Sequence, residues 1–122
     1  MLINLSNHPS ANWPEEQLQA ASLFGKIVDL PFPAIPPEWD TEQETNTAYE
    51  YLDKCKQLLC DKNEKSVVHL AGEPVFCFLL AQLLLKANIA CLTSTTERIA
   101  VEENGTKTSE FRFGGFREYK LL

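Results

Sequence analysis

The sequence predicts an α/β fold, a three-layer sandwich built on a mostly parallel sheet and closed by a C-terminal β-hairpin. Three observations predict it. Residues 67–93 read as strand, turn, helix, strand: Val67-Val68-His69-Leu70-Ala71, then Gly72-Glu73-Pro74, then an apolar run from Val75 to Ala87, then Ile89-Ala90-Cys91-Leu92-Thr93. Residues 2–30 give the same order of strand, helix, strand. After Thr96 the apolar period changes to alternation around Asn104-Gly105, a strong type I′ hairpin signal.

The chain is organised around residues 67–93. The first run is short, β-branched and bounded by Gly72, as a buried strand is. Pro74 suits the first turn of a helix, where its missing N–H is no loss. From Val75 to Ala87 only Gln82 and Lys86 are polar. Phe76, Phe78, Leu79, Leu80, Leu83, Leu84 and Leu85 cover nearly the whole circumference, so this helix is expected to be buried on most sides, each large side chain contributing roughly 1.5–3 kcal/mol. Asn88 can take the left-handed conformation that ends it. A right-handed crossover puts both strand C-termini on one edge. Gly72-Glu73 and Ser94-Thr95-Thr96-Glu97-Arg98 are therefore expected to face one crevice.

Upstream, Leu2-Ile3-Asn4-Leu5 is a strand that ends in the polar loop Ser6-Asn7-His8-Pro9-Ser10. Asn12 to Phe24 reads as a helix, with Asn12 as cap, Pro14, Glu15 and Glu16 in its first turn, and Gly25 as its stop. Trp13 is expected to pack. Lys26–Leu30 is the second strand. The Pro31–Pro37 run cannot be helix and has few N–H groups for a sheet; it serves as a rigid connector or as a wall of the crevice or a dimer contact. Thr41-Glu42-Gln43-Glu44 matches a capping box. Ala48, Tyr51, Leu52, Cys55, Leu58 and Leu59 follow at helical spacing, so residues 41–60 form an amphipathic helix with its acids on a solvated face. Asp61 to Lys65 is a polar turn. With Asn104-Gly105 as a two-residue turn, Glu103 faces Thr106, Glu102 faces Lys107 and Glu97 faces Arg112, which reads Arg112 as a cross-strand ion pair. Gly114-Gly115 suggests a bulge or a close backbone approach.

These elements assemble into a small Rossmann-like domain spanning residues 1–122, with sheet order 2-1-3-4 and the hairpin beyond. A chain of 122 residues suits one core. No apolar run reaches the ~18–20 residues of a membrane helix, and Met-Leu-Ile-Asn-Leu lacks a basic leader, so a cytoplasmic location is expected. Cys55, Cys60, Cys77 and Cys91 have no metal spacing and read as buried reduced thiols. A net charge of −6 argues against loose binding to long nucleic acid. The three arginines, Arg98, Arg112 and Arg117, all fall in the last quarter and offer planar forks for the phosphates of a small anion.

The crevice at the strand-order reversal collects Ser6, Asn7, His8, Gly72, Glu73, Ser94, Thr95 and Thr96, with Arg98 near it. His8 has the pKa for acid–base work, or is a loop histidine bonded to backbone. Glu73 is either a general base or ribose-hydroxyl acceptor, or the cap of its helix. The N–H groups after Gly72 suit an anion. His69 reads as a satisfied core histidine. Neither dinucleotide-binding nor P-loop glycine motifs occur, and no carboxylate or histidine set has metal spacing, so no cofactor and no metal are expected.

The words Gly72-Glu73, Ser94-Thr95-Thr96-Glu97-Arg98, the Asn-Gly hairpin and Phe111-Arg112-Phe113…Phe116-Arg117-Glu118-Tyr119 resemble small stand-alone CRISPR-associated proteins of the CARF type, some of them ring nucleases. The likeness is best over roughly the last 55 residues; residues 1–65 share mainly the element order. It implies a homodimer that binds a cyclic oligoadenylate messenger across its two-fold axis and linearises it without metal. The chemistry implied is attack of a ribose 2′-hydroxyl on the adjacent phosphorus, leaving a 2′,3′-cyclic phosphate. His8 would be acid or base, Arg98 with Thr95 or Thr96 would steady the phosphate, and the Gly72 N–H would bind it. Two other readings stand beside it: a non-catalytic sensor or adaptor, and a domain for another phosphorylated nucleoside.

Overall fold

The computed structural model describes residues 1–59 and 66–122. The elements in chain order are β1 (Leu2–Ser6), a 3-10 turn (Ser10–Asn12), α1 (Glu15–Ser22), β2 (Ile27–Asp29), α2 (Thr41–Leu59), β3 (Val67–Ala71), α3 (Pro74–Lys86), β4 (Ala90–Glu103) and β5 (Thr106–Glu118). They make an α/β fold on a five-stranded sheet of order β2-β1-β3-β4-β5, the order expected. The first four strands are parallel and β5 is antiparallel to β4. The expected polar turn at 61–65 and Cys60 lie outside the described residues.

The sheet has two unequal faces. On one side α2 and α3 pack a large core in which Ile3, Leu5, Val68, Leu70, Phe76, Leu80 and Leu84 are fully buried. On the other, the short α1 covers a smaller core of Leu2, Trp13, Ala21, Val67 and Leu92. Alternation along β1 and β3 divides the apolar side chains between the two faces. No helix among the described residues is long and apolar enough to cross a membrane.

Several local expectations are corrected. The helix expected from Asn12 starts only at Glu15, and Asn12 does not cap it. Pro14 biases the residue before it away from helix, and Trp13 is extended (φ −73°, ψ 143°), so Ser10–Asn12 forms its own turn. Trp13 packs as expected, at 6% exposure. The capping box of α2 is Asp40 with Gln43, one residue earlier than expected: Asp40 Oδ1 accepts from Gln43 N (2.9 Å) and Gln43 Oε1 from Asp40 N (2.9 Å). That shift releases Glu44, which is buried and not on the solvated face.

Helix α3 begins at Pro74 and ends before Asn88, whose φ is 61°. Its burial is one-sided: Phe76, Cys77, Leu80, Ala81 and Leu84 are buried, but Val75 and Phe78 are 42% and 56% exposed. Among the described residues β4 is followed by β5 and by no helix.

The largest departure is β4. Ser94–Arg98 is not a loop after a short strand but the middle of a 14-residue strand. Beside β3 it pairs only from Ala90 to Leu92; from Thr93 on its partner is β5, so the two strands run on as a ribbon. The hairpin register is the expected one, with Glu103 opposite Thr106, Glu102 opposite Lys107 and Glu97 opposite Arg112. Asn104 and Gly105 both have positive φ (50° and 77°), as a type I′ turn requires. The register shifts between Thr95 and Thr96, opposite Gly114, which forms the bulge. A Cβ on Gly114 would stand 2.9 Å from Thr95 Oγ1.

Candidate functional site

The polar chemistry of the chain gathers at the C-terminal edge of β1 and β3, on the α1 face. Asn4 and His69 are paired neighbours in the sheet, each 2% exposed. Polar side chains placed there must find partners inside the protein. Asn4 Nδ2 donates to Asp29 Oδ1 (2.8 Å) and to the His8 carbonyl (2.9 Å). Asn4 Oδ1 accepts from Ser6 Oγ (2.8 Å) and faces His69 Nδ1 at 2.9 Å. His69 Nε2 lies 3.2 Å from Ser94 Oγ. Asp29 is held in turn by Ser10, through Oγ (2.8 Å) and N (3.1 Å). A continuous chain therefore runs from Ser10 through Asp29, Asn4 and His69 to Ser94.

Aromatic rings wall this chain. Trp13 meets the His69 ring edge-on at 5.1 Å and donates its indole N–H to the His8 carbonyl (3.0 Å). Phe116 flanks His69 at 5.7 Å, and Phe113 flanks Phe116 at 5.1 Å. The Gly114 bulge puts Phe113 and Phe116 on one face although they are three residues apart. Burial first, and then the charge of His8, push the His69 imidazole down to about 4, so it is neutral at pH 7. Burial works to raise Asp29, but the hydrogen bonds from Asn4 and Ser10 together hold its carboxylate below the usual range. A cleft of 360 Å³ opens over Asn4, Ser6, Asn7, Pro9 and Asp29 beside Phe32. A larger groove of 730 Å³ lies along α3, lined by Pro74, Phe78, Leu85, Tyr119 and others. Both are lined mostly by apolar surface, and of the two it is the smaller cleft that is lined by members of the hydrogen-bonded chain, Asn4 and Asp29.

The expected site residues are only partly brought together. Ser6 and Asn7 line the cleft, His8 stands in sequence between the lining residues Asn7 and Pro9, and Ser94 lies outside the lining and joins the hydrogen-bonded chain through His69. Ser6 is buried, its hydroxyl bonded to Asn4 and accepting from His8 N (3.2 Å). The His8 imidazole is exposed while its carbonyl accepts from Asn4 Nδ2 and from the Trp13 indole N–H. Gly72 lies under Phe32, whose ring a Cβ at Gly72 would meet at 2.4 Å. Glu73 takes the capping role: its carboxylate accepts from Val75 N (3.1 Å) and Phe76 N (2.7 Å). The helix N-terminus expected to take a phosphate is thus filled by this chain's own carboxylate, which corrects the anion-site expectation.

Glu73 has a second partner, the buried Glu44. The hydrogen bond between them, then burial, then the charge of Glu73, push Glu44 up to about 7. Burial works to raise Glu73, but its bonds with Glu44 and with the N–H groups of Phe76 and Val75 together lower it. Glu44 is the proton donor of the pair. Its Oε1 is buried with no hydrogen-bond partner among the described residues.

Ser94 and Thr96 share the α1-side face of β4, whereas Thr95 points to the other face and donates to the Gly115 carbonyl (3.2 Å). Arg98 is on Ser94's face but four residues along the ribbon, ~13 Å at the usual strand rise; its Nε donates to Ser109 Oγ (3.1 Å). Arg112 is exposed and sits 3.7 Å from Glu110, on its own strand, and not in the expected bridge to Glu97. Alternate residues of a strand share a face, so both positions were open to it. Arg117 pairs with Thr93 on the α3 side. Sequence reasoning missed Asn4, Ser10 and Asp29 altogether. A usable signal existed: Asn4 and His69 are polar residues at the centres of two apolar strands, and such residues need each other. His69 is satisfied as expected, but its second partner belongs to the crevice.

Cys55, Cys77 and Cys91 are buried free thiols, as expected for these three. Burial raises Cys55 and Cys77 to about 12 and Cys91 higher still, which leaves them unreactive. Among the described residues no group of three or more His, Cys, Asp or Glu side chains is placed to hold a metal.

The fold and the cluster define a small Rossmann-like α/β domain whose buried polar chain crosses the strand-order reversal between β1 and β3, while its cleft opens on the β2 side of β1. The chain belongs to the uncharacterized protein MJ1673 family, whose model matches residues 1–117. No curated protein and no solved structure matches it.

Proposed function

We propose that this chain binds a cyclic oligoadenylate as a cytoplasmic homodimer and linearises it by attack of a ribose 2′-hydroxyl, in type III CRISPR antiviral signalling. One observation carries the reading. Ser94, Thr96, Arg98, Phe111, Phe113 and Phe116 lie on one face of β4 and β5, continuous with His69. That face offers what a nucleotide needs. Phe111, 70% exposed, and the half-buried Phe113 are platforms for bases; Arg98 offers a fork for phosphate; Ser94 offers a polar contact. His8, with an exposed imidazole beside the cleft, is the candidate acid or base. A ring of repeated nucleotides needs matched half-sites, which supports a two-fold dimer.

The second reading is a sensor or adaptor that binds without turnover. It is favoured by a specific observation: Glu73 is engaged as a cap, and Arg98 stands well up the ribbon from Ser94 within one chain. The test is incubation of the purified protein with cyclic tri-, tetra- and hexa-adenylate in EDTA, read by mass spectrometry beside a binding assay. Linear products support the nuclease, and His8→Ala then abolishes them while binding is kept. Binding without products supports the sensor. Neither binding nor products withdraws both. Gel filtration giving a monomer at micromolar concentration removes the dimer.

A further inference from the structure

The hydrogen-bond chain that ends at Ser94 has a direction, and its direction follows from groups that have no choice. The Asp29 carboxylate and the His8 carbonyl can only accept. Asn4 lies 2.8 and 2.9 Å from them, so the atom it presents to both is its amide nitrogen. Its other atom, the carbonyl Oδ1, can then only accept from His69, at 2.9 Å. His69 Nδ1 must carry the proton. The imidazole is 2% exposed and walled by Trp13 and Phe116, which disfavours a second proton, so Nε2 keeps its lone pair. Ser94 Oγ, 3.2 Å away, gives Nε2 its only proton. The half-buried Ser94 hydroxyl is left with lone pairs alone to offer a ligand on the β4–β5 face it shares with Phe116.

We infer that Ser94 is a specificity residue that accepts a hydrogen bond from a neutral O–H or N–H donor of the ligand, and that it does not bind phosphate. This rests on the nucleotide reading above and gives the polar contact offered by Ser94 a direction. In a cyclic oligoadenylate two groups supply such a donor, the ribose 2′-hydroxyl and the adenine amine. A phosphate oxygen brings only lone pairs, and against Ser94 it would meet an acceptor with no proton between them. His69, at the far side of Ser94, is a positioning residue: it sets the polarity of the hydroxyl without touching the ligand.

The experiment has two arms. In the first, the ring nitrogens of His69 are observed by nitrogen-15 NMR in the protein without nucleotide. A protonated Nδ1 and an unprotonated Nε2 at pH 7 are expected; a proton on Nε2 overturns the inference. In the second, binding of cyclic tetra-adenylate, its 2′-deoxy form and its 6-unsubstituted purine form is compared for the native protein and Ser94→Ala. The expected result is a loss of roughly tenfold for the parent ring on substitution, and no loss for the one analogue that lacks the donor. The analogue that escapes the loss identifies the 2′-hydroxyl or the amine as the partner. Unchanged affinity in Ser94→Ala, or an equal loss for all three ligands, overturns the inference. If the native protein binds none of the rings, the nucleotide reading fails. The nitrogen shifts then decide the polarity of Ser94 on their own.

Discussion

Asn4 and His69, neighbours across β1 and β3, are joined by a 2.9 Å contact between Asn4 Oδ1 and His69 Nδ1. Asn4 makes both donor bonds and both acceptor bonds its amide allows, all with atoms of its own chain. It joins three strands and the loop after β1 through one side chain. Asn4→Ala is therefore expected to cost roughly 2–4 kcal/mol, because His69 Nδ1 and Asp29 lose a partner in a buried setting. Urea unfolding checks this, with a lower midpoint and an unchanged slope. Asn4→Asp should be worse at pH 8 than at pH 5, since it sets a second carboxylate against Asp29.

Acid should unfold the protein partly through His69. Its folded pKa, about 4, lies below the ordinary value of 6.5. A histidine with a depressed folded pKa binds its proton more readily when unfolded. It contributes its full stability above pH 6.5 and loses it as pH falls towards 4, an effect of up to roughly 3 kcal/mol. His69→Gln, which keeps a side chain able to donate to Asn4, is expected to lower stability at pH 7 and to flatten its decline between pH 6.5 and 4. Unfolding curves at a series of pH values read both effects, and a decline unchanged from the native protein would show that other groups carry it.

Most of the fold was legible because its signals are local. Gly72, Pro74 and Asn88 mark the ends of β3 and α3, and Asn104-Gly105 sets the hairpin register, all by backbone preferences that a single residue imposes. The site was less legible because it depends on length and on facing. Ser94-Thr95-Thr96 has the composition of a loop, yet Thr residues are also good strand formers, and pairing to β5 decided the matter. Once the strand ran through, Thr95 turned away from Ser94, and Arg98 moved up the ribbon. Asn4, Asp29 and His69 are spread over 65 residues, and only the parallel register brings them within hydrogen-bond reach.

The pair Glu44 and Glu73 should oppose His69 in its pH dependence. Glu44 has a folded pKa raised to about 7 from 4.5, chiefly by its hydrogen bond with Glu73. The folded protein therefore holds a proton that the unfolded chain gives up. Stability from this group is present below pH 4.5 and is lost as pH rises towards 7. Glu44→Gln keeps an N–H to donate to Glu73 and removes the second negative charge. It is expected to raise Tm by a few degrees at pH 8 and to leave Tm nearly unchanged at pH 4.5. Thermal melts at the two pH values test this. Glu73→Gln should act differently, because it also weakens the cap on Val75 and Phe76, so it is expected to lower Tm at both.

Phe32 over Gly72 gives the proline-rich loop a structural duty. The ring sits where a Cβ on Gly72 would be, 2.4 Å from its nearest atom, and it packs edge-on against Phe76 at 5.2 Å. Gly72→Ala should push the ring off Phe76 and lower stability by roughly 1–3 kcal/mol, the range for an overpacked site. Phe32→Leu removes part of the ring and should cost a similar amount by itself through lost packing. The double variant is expected to be more stable than the sum of the two single losses, because the alanine then occupies space the ring has vacated. A coupling of at least 0.5 kcal/mol, at the lower end for residues in contact, would show that the loop is held to the strand edge by this contact. Strict additivity would show that the loop is held elsewhere, and that Gly72 and Phe32 act independently.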